Sequence, residues 1–200
     1  MAIDVNADQI ECRIGGPQGV APIYFALGEL QNVDVIVADG RYALRTSDAT
    51  FDLIGIDAYR QPYIPFQLTS REFFQEVSAH LRPGGVAVVN AGRTRTDFRL
   101  VDSLAATMRD VFPHVVAIDV DRYTNTILVG SQSPLSADAL IENVDRLPEA
   151  SPVREVAAWS LTSGNIRAME AGGSVFTDDR APVERVIDQM IFDAAREIGG

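Results

Sequence analysis

The sequence predicts an α/β protein in which a mostly parallel sheet is covered by helices on both faces. Short, nearly continuous apolar runs rich in Val and Ile alternate with longer stretches of helical periodicity. Such runs are typical of strands buried on both faces, and their alternation with helices is typical of parallel sheets. The 200 residues correspond to about one domain, and a hydrophobic content of 46% is enough for its core.

The middle of the chain supplies these elements in turn. The predicted strands cover residues 33–38, 51–56, 86–89, 115–120 and 126–129. Thr69 and Glu72 form a capping box that opens one helix, and Asp97 caps the next. Only Asp121–Asn125 separates the last two strands, so one antiparallel pair is expected at the end of the sheet.

After Ser131 the sequence changes character. Short helices are predicted at 136–146 and 152–161, a loop at 164–174, and a closing amphipathic helix with Asp179 as its cap. We therefore divide the chain into an atypical segment 1–22, an α/β core 23–131 and a helical extension 132–200 that packs on the core.

Charge and composition exclude several classes of protein. A net charge of −11 argues against nucleic-acid binding and against docking on anionic lipid. The single cysteine, Cys12, excludes an internal disulfide, and the separated His80 and His114 predict no metal site. The absence of lysine excludes Schiff-base chemistry. With no membrane-length apolar run and no signal-peptide pattern in Met1–Ile14, we expect a cytoplasmic, metal-free protein with a small-molecule substrate.

Two acidic residues come directly after predicted strands. Ligands of open α/β sheets bind beyond the carboxyl ends of the strands, where Asp39 and Asp57 stand. A carboxylate there can accept hydrogen bonds from a ribose or an amine, or take a proton. Each can equally cap the turn or helix that follows it. Both interpretations are open at this point.

The order of several short motifs resembles the spermidine synthase family. The motifs are Asp39-Gly40-Arg41, the strand that ends at Asp57, the segment Tyr63–Phe74, Leu81–Val86 with Pro-Gly-Gly, and Asn90. The tail Phe176–Glu184 is similar to that of the bacterial spermidine synthase-like branch. The family consists of polyamine aminopropyltransferases on a class I methyltransferase fold, which is Rossmann-like.

The resemblance implies roles for individual residues. Asp39 and Gly40 would contact the adenine of S-adenosylmethionine or of its decarboxylated form, which is a co-substrate, and Ala58 would lie against the same molecule. Asp57 matches the family's proton acceptor and would take a proton from the attacking amine. The loop that carries Tyr59 and Tyr63 would gate the site, with both rings as walls. A homodimer is the family expectation.

One departure from the family concerns the acceptor. The family carries a second carboxylate three residues after the first, and it anchors a diamine. Arg60 stands there in this sequence. A cation repels a dication, so we expect that putrescine is a poor substrate. Arg60 can instead orient an acceptor that carries a carboxylate, or it can point to solvent.

The second departure concerns the N-terminal residues. The family begins with a strand, a glycine-rich loop and a second strand that ends in a ribose-binding acid, and none of these can be placed before Ile23. We therefore expect a sheet that is incomplete at its N-terminal part. Gly15–Gly19 is a weak candidate for a ligand loop.

Two hypotheses remain open. The chain is a transferase, moving an aminopropyl or a methyl group, or it is a non-catalytic or truncated relative that binds nucleosides or serves as an interaction domain. A dehydrogenase of the NAD-binding type is excluded because no G-x-G-x-x-G motif follows a first strand.

Overall fold

The structure is a computed structural model, and it describes residues 2–6, 9–14, 33–59, 63–120, 124–161, 165–169 and 173–199. Its strands are β1 (Ala2–Asn6), β2 (Gln9–Ile14), β3 (Val33–Val37), β4 (Phe51–Ile56), β5 (Leu81–Gly92), β6 (His114–Val120), β7 (Asn125–Ser131) and β8 (Ile166–Ala168). Its helices are α1 (Gly40–Arg45), α2 (Arg71–Ala79), α3 (Arg99–Arg109), α4 (Ala137–Asp145), α5 (Pro152–Ser160) and α6 (Val183–Gly199).

Within the described residues the strands form one sheet in the order β3-β2-β1-β4-β5-β7-β6-β8. β2 is parallel to β3, and β4 is parallel to β5, whereas the other five pairs of neighbouring strands are antiparallel. The prediction of a mostly parallel sheet is therefore wrong for the described strands, because β1 is reversed and β5, β7, β6 and β8 pair antiparallel in succession. β7 pairs antiparallel with both β5 and β6, and the short connection predicted between the last two strands accounts for its pairing with β6. The carboxyl ends of β3, β4 and β5 therefore share one edge of the sheet, together with the start of β7. This edge is called the ligand edge below.

The centre of the sheet differs from the expectation. The sequence predicts no first strand before Ile23, whereas the structure has β1 and β2 there. β1 lies between β2 and β4 and is antiparallel to both, so β2, β3, β4 and β5 all run in the same direction. A strand in this position gives backbone partners to β2 and β4, which would otherwise be left with open edges.

The reversal of β1 has a consequence for the ligand edge. Ala2 pairs with Ile56, so the beginning of β1 lies at this edge and its end, Asn6, lies at the opposite one. β1 and β2 are joined by residues 7–8 and pair as a hairpin. A loop that follows a parallel first strand would leave that strand at the ligand edge, whereas the loop after β1 leaves at the other edge.

The core lies between the sheet and helices α2, α3 and α6. Its fully buried large side chains include Phe51, Phe74, Phe112, Phe176, Ile54, Leu100, Leu104, Met108 and Leu128. Phe176 precedes α6 and joins this core from the C-terminal part of the chain. In the described part of the chain, no helix is long and apolar enough to cross a membrane.

Local details correct the predicted caps. Ser70, not Thr69, caps α2, because Thr69 donates its hydroxyl to the carbonyl of Phe66 and closes a 3-10 turn. Asp97 is not the N-cap of α3 either, because Phe98 takes that position, but its carboxylate accepts the N–H of Arg99 from one residue further out. Asp179 does not cap α6, which starts only at Val183 after a turn in which Thr177 pairs with Arg180.

Candidate functional site

Both predicted strand-end acids lie at the ligand edge. Asp39 follows β3, and Asp57 follows β4. β2 and β1 lie between these two strands, so three inter-strand steps separate the acids. At roughly 4.8 Å per step, they are about 14 Å apart along the edge. Both side chains are exposed, so each can meet a ligand that lies along this edge.

Asp39 is the N-cap of α1. Its Oδ1 accepts the backbone N–H of Tyr42 at 2.9 Å, and Gly40 begins the helix. A carboxylate has two oxygens and accepts several hydrogen bonds, so capping by Oδ1 leaves Oδ2 available for a donor on a ligand. The capping and ligand-binding interpretations of Asp39 are therefore compatible.

Arg41 fixes the first turn of α1 to two other parts of the chain. Its Nε and Nη2 donate to the carboxylate of Glu76 on α2, at 2.9 and 2.8 Å. Its Nη1 and Nη2 donate to Asp178 at 2.8 and 2.9 Å, and Nη1 also donates to the carbonyl of Gln67 at 3.1 Å. All five N–H donors of the guanidinium are therefore used, and its side chain is only 12% exposed.

The partner of Arg41 in the C-terminal segment is itself well anchored. Asp178 accepts the hydroxyl of Ser70 at 2.5 Å, and its backbone N–H donates to Glu72 at 2.9 Å. The Arg41 guanidinium lowers the pKa of the Asp178 carboxyl below its usual value, with a further contribution from the Ser70 hydroxyl. The turn that carries Asp39 is thus tied to a segment 137 residues further along the chain.

Asp57 lies among amide side chains. β4 and β5 pair with Ile56 opposite Val89, which puts Asp57 beside Asn90. Asn90 Nδ2 donates to Asp57 Oδ1 at 3.1 Å, and Asn125 Nδ2 donates to Asn90 Oδ1 at 2.7 Å. A row of polar groups therefore runs along the ligand edge from β4 across β5 to β7.

Tyr59 stands next to this row. Its hydroxyl donates to the backbone carbonyl of Asn90 at 3.0 Å. Burial, together with the negative charge of Asp57, raises the pKa of Tyr59 to about 12. The phenol therefore remains a neutral donor at physiological pH.

The other residues that the sequence predicts for the site are Ala58, Tyr63, Arg60 and the glycines of 15–19. Ala58 follows Asp57 and is half-buried. The hydroxyl of Tyr63 donates to Asp188 on α6 at 2.8 Å, an interaction that raises the pKa of the phenol. Arg60 and the glycines of 15–19 lie outside the described residues.

The structure adds residues to which the sequence analysis gave no role. Arg41 and Asn90 were part of the motif set, and Asn125 was noted only as a turn residue. An Asn directly after a buried strand is a signal for the ligand edge, as Asp is, and it could have been used for Asn90.

The site suits an organic cation. Exposed carboxylates at both ends of a 14 Å stretch, about three strand spacings, match a molecule with hydrogen-bond donors at one end and a positive centre at the other. Among the described residues, no group of three or more His, Cys, Asp or Glu side chains is arranged to hold a metal ion. The chemistry that the geometry supports is hydrogen bonding at Asp39 and proton acceptance or charge stabilisation at Asp57.

Comparisons with known proteins place this site in a family. The spermine/spermidine synthase domain matches residues 26–129, which include Asp39, Asp57, Asn90 and Asn125. A probable polyamine aminopropyl transferase of Bifidobacterium longum is 32% identical over an alignment 186 positions long, which covers 84% of this chain and 42% of that protein. The chain thus spans less than half the length of this relative.

Solved structures agree on the fold. A probable spermidine synthase from Corynebacterium glutamicum has a TM-score of 0.53 at 26% identity, over 74% of this chain and 55% of that one. Human methyltransferase-like protein 13, solved in complex with SAH, has a TM-score of 0.53 at 22% identity, over 70% of this chain and 64% of that one. The predicted methyltransferase-like α/β class is therefore confirmed. The chain belongs to the family of spermine/spermidine synthase domains.

Proposed function

We propose that this chain is a spermidine synthase-like transferase that moves an aminopropyl group from decarboxylated S-adenosylmethionine to an amine. The observation that carries the proposal is the position of Asp57 at the ligand edge, where Asn90 holds its carboxylate at 3.1 Å, in a chain of this family. The relative from Bifidobacterium longum carries the name of the same activity.

The reaction needs a base. An ammonium ion has no lone pair, so the acceptor must lose a proton before or during its attack. Asp57 accepts this proton. The amine nitrogen then bonds to the propyl carbon, the bond from that carbon to sulfur breaks, and its electron pair neutralises the sulfonium to leave methylthioadenosine. An exposed carboxylate also stabilises the sulfonium of the bound donor by charge.

The other end of the donor is assigned to Asp39. The adenine amino group is a hydrogen-bond donor that Asp39 Oδ2 can accept while Oδ1 continues to cap α1. Gly40 follows without a side chain, and a Cβ at this position would meet no atom of the described residues within 4 Å, so these residues leave the approach to Asp39 open. Ala58 is small and leaves room for the donor next to Asp57.

The acceptor is the least determined part of the proposal. Arg60 stands where the family resemblance places an acid that anchors a diamine. We infer that the acceptor carries one amine and a neutral or anionic group, which the guanidinium can orient. Tyr59 comes two residues after Asp57 and donates to the backbone carbonyl of Asn90, and Tyr63 belongs to the same loop. The alternative donor is S-adenosylmethionine itself, which would make the product a methylated acceptor.

A specific observation favours a second candidate function. β1 runs opposite to its neighbours, so the loop that follows it is at the other edge of the sheet. A donor at the ligand edge then has no loop from β1 around its aliphatic part. The second candidate is therefore a domain that binds a nucleoside at Asp39 and performs no transfer.

Calorimetric titration of the purified chain separates the two candidates. Methylthioadenosine and S-adenosylmethionine are the probes, followed by decarboxylated S-adenosylmethionine with putrescine or a carboxylate-bearing amine as acceptor. Saturable binding together with formation of methylthioadenosine supports the transferase. Binding without transfer to any acceptor supports the nucleoside-binding domain, and a folded chain that binds none of the probes contradicts both.

The decisive variant is Asp57→Asn. It removes the proton acceptor and keeps the shape, so we expect a 10²- to 10⁴-fold loss of kcat, the order typical of a positioned general base. The Kd for methylthioadenosine should stay within about twofold, because the product carries no positive charge for Asp57 to stabilise. Asp48→Asn, at an exposed acid in a loop, is the matched control. An equal loss of binding in Asp57→Asn would contradict the proposed role.

The homodimer and the cytoplasmic location stay predictions. Sedimentation of the purified chain over a range of concentrations measures the first.

A further inference from the structure

We propose that Asn125 and Asn90 form a directional amide relay that orients the carboxylate of Asp57. In this proposal Asn125 is a positioning residue that acts through Asn90 and contacts neither the donor nor the acceptor. The inference rests on the proposed function of Asp57 for its catalytic consequence, whereas its geometric part is independent of any activity.

The strand register brings the three side chains together. Asn125 on β7 lies directly opposite Gly92, and Asn90 is two residues before Gly92, on the same face of β5. Asn125 therefore reaches diagonally to Asn90, at 2.7 Å from Nδ2 to Oδ1. Asn90 in turn reaches sideways to Asp57, at 3.1 Å from Nδ2 to Oδ1.

Chemistry fixes the direction of this relay. An ionised carboxylate only accepts hydrogen bonds, so the end of Asn90 that faces Asp57 must be its NH₂ group. The other end of Asn90 is then a carbonyl oxygen and requires a donor, which is the NH₂ group of Asn125. Reversing either amide would place two acceptors against each other, so each amide holds the other in the orientation that serves Asp57.

A residue outside the relay also holds Asn90 in place. Tyr59 donates to the backbone carbonyl of Asn90, so the backbone and both ends of the side chain of this residue are engaged. A Cβ on Gly92 would stand 3.5 Å from the Tyr59 hydroxyl, so alanine fits there and a larger side chain would press on the tyrosine and on the relay. The relay ends at Asn125 Oδ1, which is buried and has no hydrogen-bond partner among the described residues.

The sharpest test reverses the relay from its far end. In Asn125→Asp the ionised carboxylate accepts from Asn90, which turns the Asn90 amide and points its oxygen at Asp57. In Asn125→Leu the branched shape of the side chain is kept, and both of its hydrogen-bonding groups are lost. We expect kcat to fall about 3-fold in Asn125→Leu and about 30-fold in Asn125→Asp, because small misplacements of a catalytic group cost up to about 10²-fold.

Binding and a matched control identify the step affected. The Kd for methylthioadenosine should stay within about twofold in both variants, because the relay does not touch the ligand and this product carries no positive charge for Asp57 to stabilise. Asn143→Asp makes the same chemical change at an exposed position on α4 and should leave kcat unchanged. Equal kcat values in the two Asn125 variants, with both chains folded by circular dichroism, would overturn the relay.

A measurement without activity separates the relay from the proposed function. In ¹⁵N NMR spectra the Asn90 side-chain NH₂ signals, assigned by their loss in Asn90→Ala, should shift in Asp57→Asn and in Asn125→Asp and stay in place in Asn143→Asp. If these shifts occur and the wild-type chain transfers nothing, the relay stands and the transferase proposal fails. If the Asn90 signals do not move in either relay variant, the relay is wrong whatever the activity.

Discussion

Asp39 and Asp57 lie along one edge of the sheet, and different chemistry holds each of them. At the Asp39 end, the guanidinium of Arg41 joins α1 to two carboxylates, on Glu76 and Asp178. At the Asp57 end, the side chains of Asn90 and Asn125 make neutral amide contacts across β4, β5 and β7. One end depends on ion pairs between distant segments, and the other depends on the register of neighbouring strands.

This difference separates two tasks. An ion-pair cluster ties flexible elements together, but its strength varies with salt and pH. Amide contacts add no charge and vary little with salt. We therefore expect that the Asp39 end controls stability and ligand affinity, whereas the Asp57 end controls the rate of transfer with little effect on stability. The following variants test that division.

Phe176→Ala is expected to lower the free energy of unfolding more than any other variant in this series. Phe176 is 1% exposed, its N–H donates to Thr107 on α3 at 2.9 Å, and its carbonyl accepts the N–H of Arg71 at 2.8 Å. Truncating a buried Phe costs about 3–5 kcal/mol of unfolding free energy. Because Phe176 anchors the segment that carries Asp178, the Kd for methylthioadenosine should also weaken, while kcat at saturating substrate changes less.

Urea unfolding and calorimetry measure these two quantities. Phe192→Ala removes the same side chain from a position on α6 that is 68% exposed, and it should change stability by no more than about 0.5 kcal/mol. A Phe176→Ala chain that is less stable but binds the nucleoside normally would show that the C-terminal segment does not support the Asp39 end.

Arg41→Ala should have the next largest effect. It leaves Glu76 and Asp178 without their shared cation in a partly buried position, at a cost of about 2 kcal/mol, which is discounted for the exposure of Asp178. Arg41→Lys keeps the charge but not the five donors, so it should recover about half of that loss. When the same urea unfolding is measured in 1 M salt, the difference in unfolding free energy between Arg41→Ala and the wild type should become smaller. Asn125→Leu, from the other end, should show no such dependence on salt.

The sequence predicted the parts of the fold that local pattern determines. The strands ending at Val37 and Ile56 are short, mostly apolar runs that contain Val or Ile, and each is predicted to within one residue, with Asp39 and Asp57 after them. The alternation of strands and helices was sufficient for the fold class. The direction of β1 could not be predicted, because alternation with a period of two residues is the same in both directions along a strand. β8 has only three residues and was predicted as loop.

The sequence was enough to predict site residues whose role follows from their own position at the end of a strand. It was not enough for residues whose role depends on a partner far away in the chain. The role of Arg41 depends on partners 35 and 137 residues away, which no local pattern reveals. The contact between Asn90 and Asn125 depends on the register of β5 against β7, and a shift of one residue would send the two side chains to opposite faces. The sequence therefore shows which strands end in acids, and the structure shows what holds those acids.

Asp178→Asn is expected to lower the free energy of unfolding least in this series, and it tests a single carboxylate. Arg41 lowers the pKa of Asp178 in the folded chain below its ordinary value of 3.8. A group with a lowered folded pKa stabilises the protein above its unfolded pKa, and this contribution is lost as the pH falls through the folded pKa. The wild type should therefore exceed Asp178→Asn by about 1 kcal/mol near neutral pH, a figure that allows for the 44% exposure of this side chain. The difference should stay level down to about pH 4 and shrink below it, as measured by urea unfolding over a pH series.

Asp179→Asn alters the adjacent exposed acid and should follow the wild-type curve. A difference that persists unchanged into the acid range would mean that Asp178 contributes through shape and not through its charge, and the ionic description of the Asp39 end would then fail.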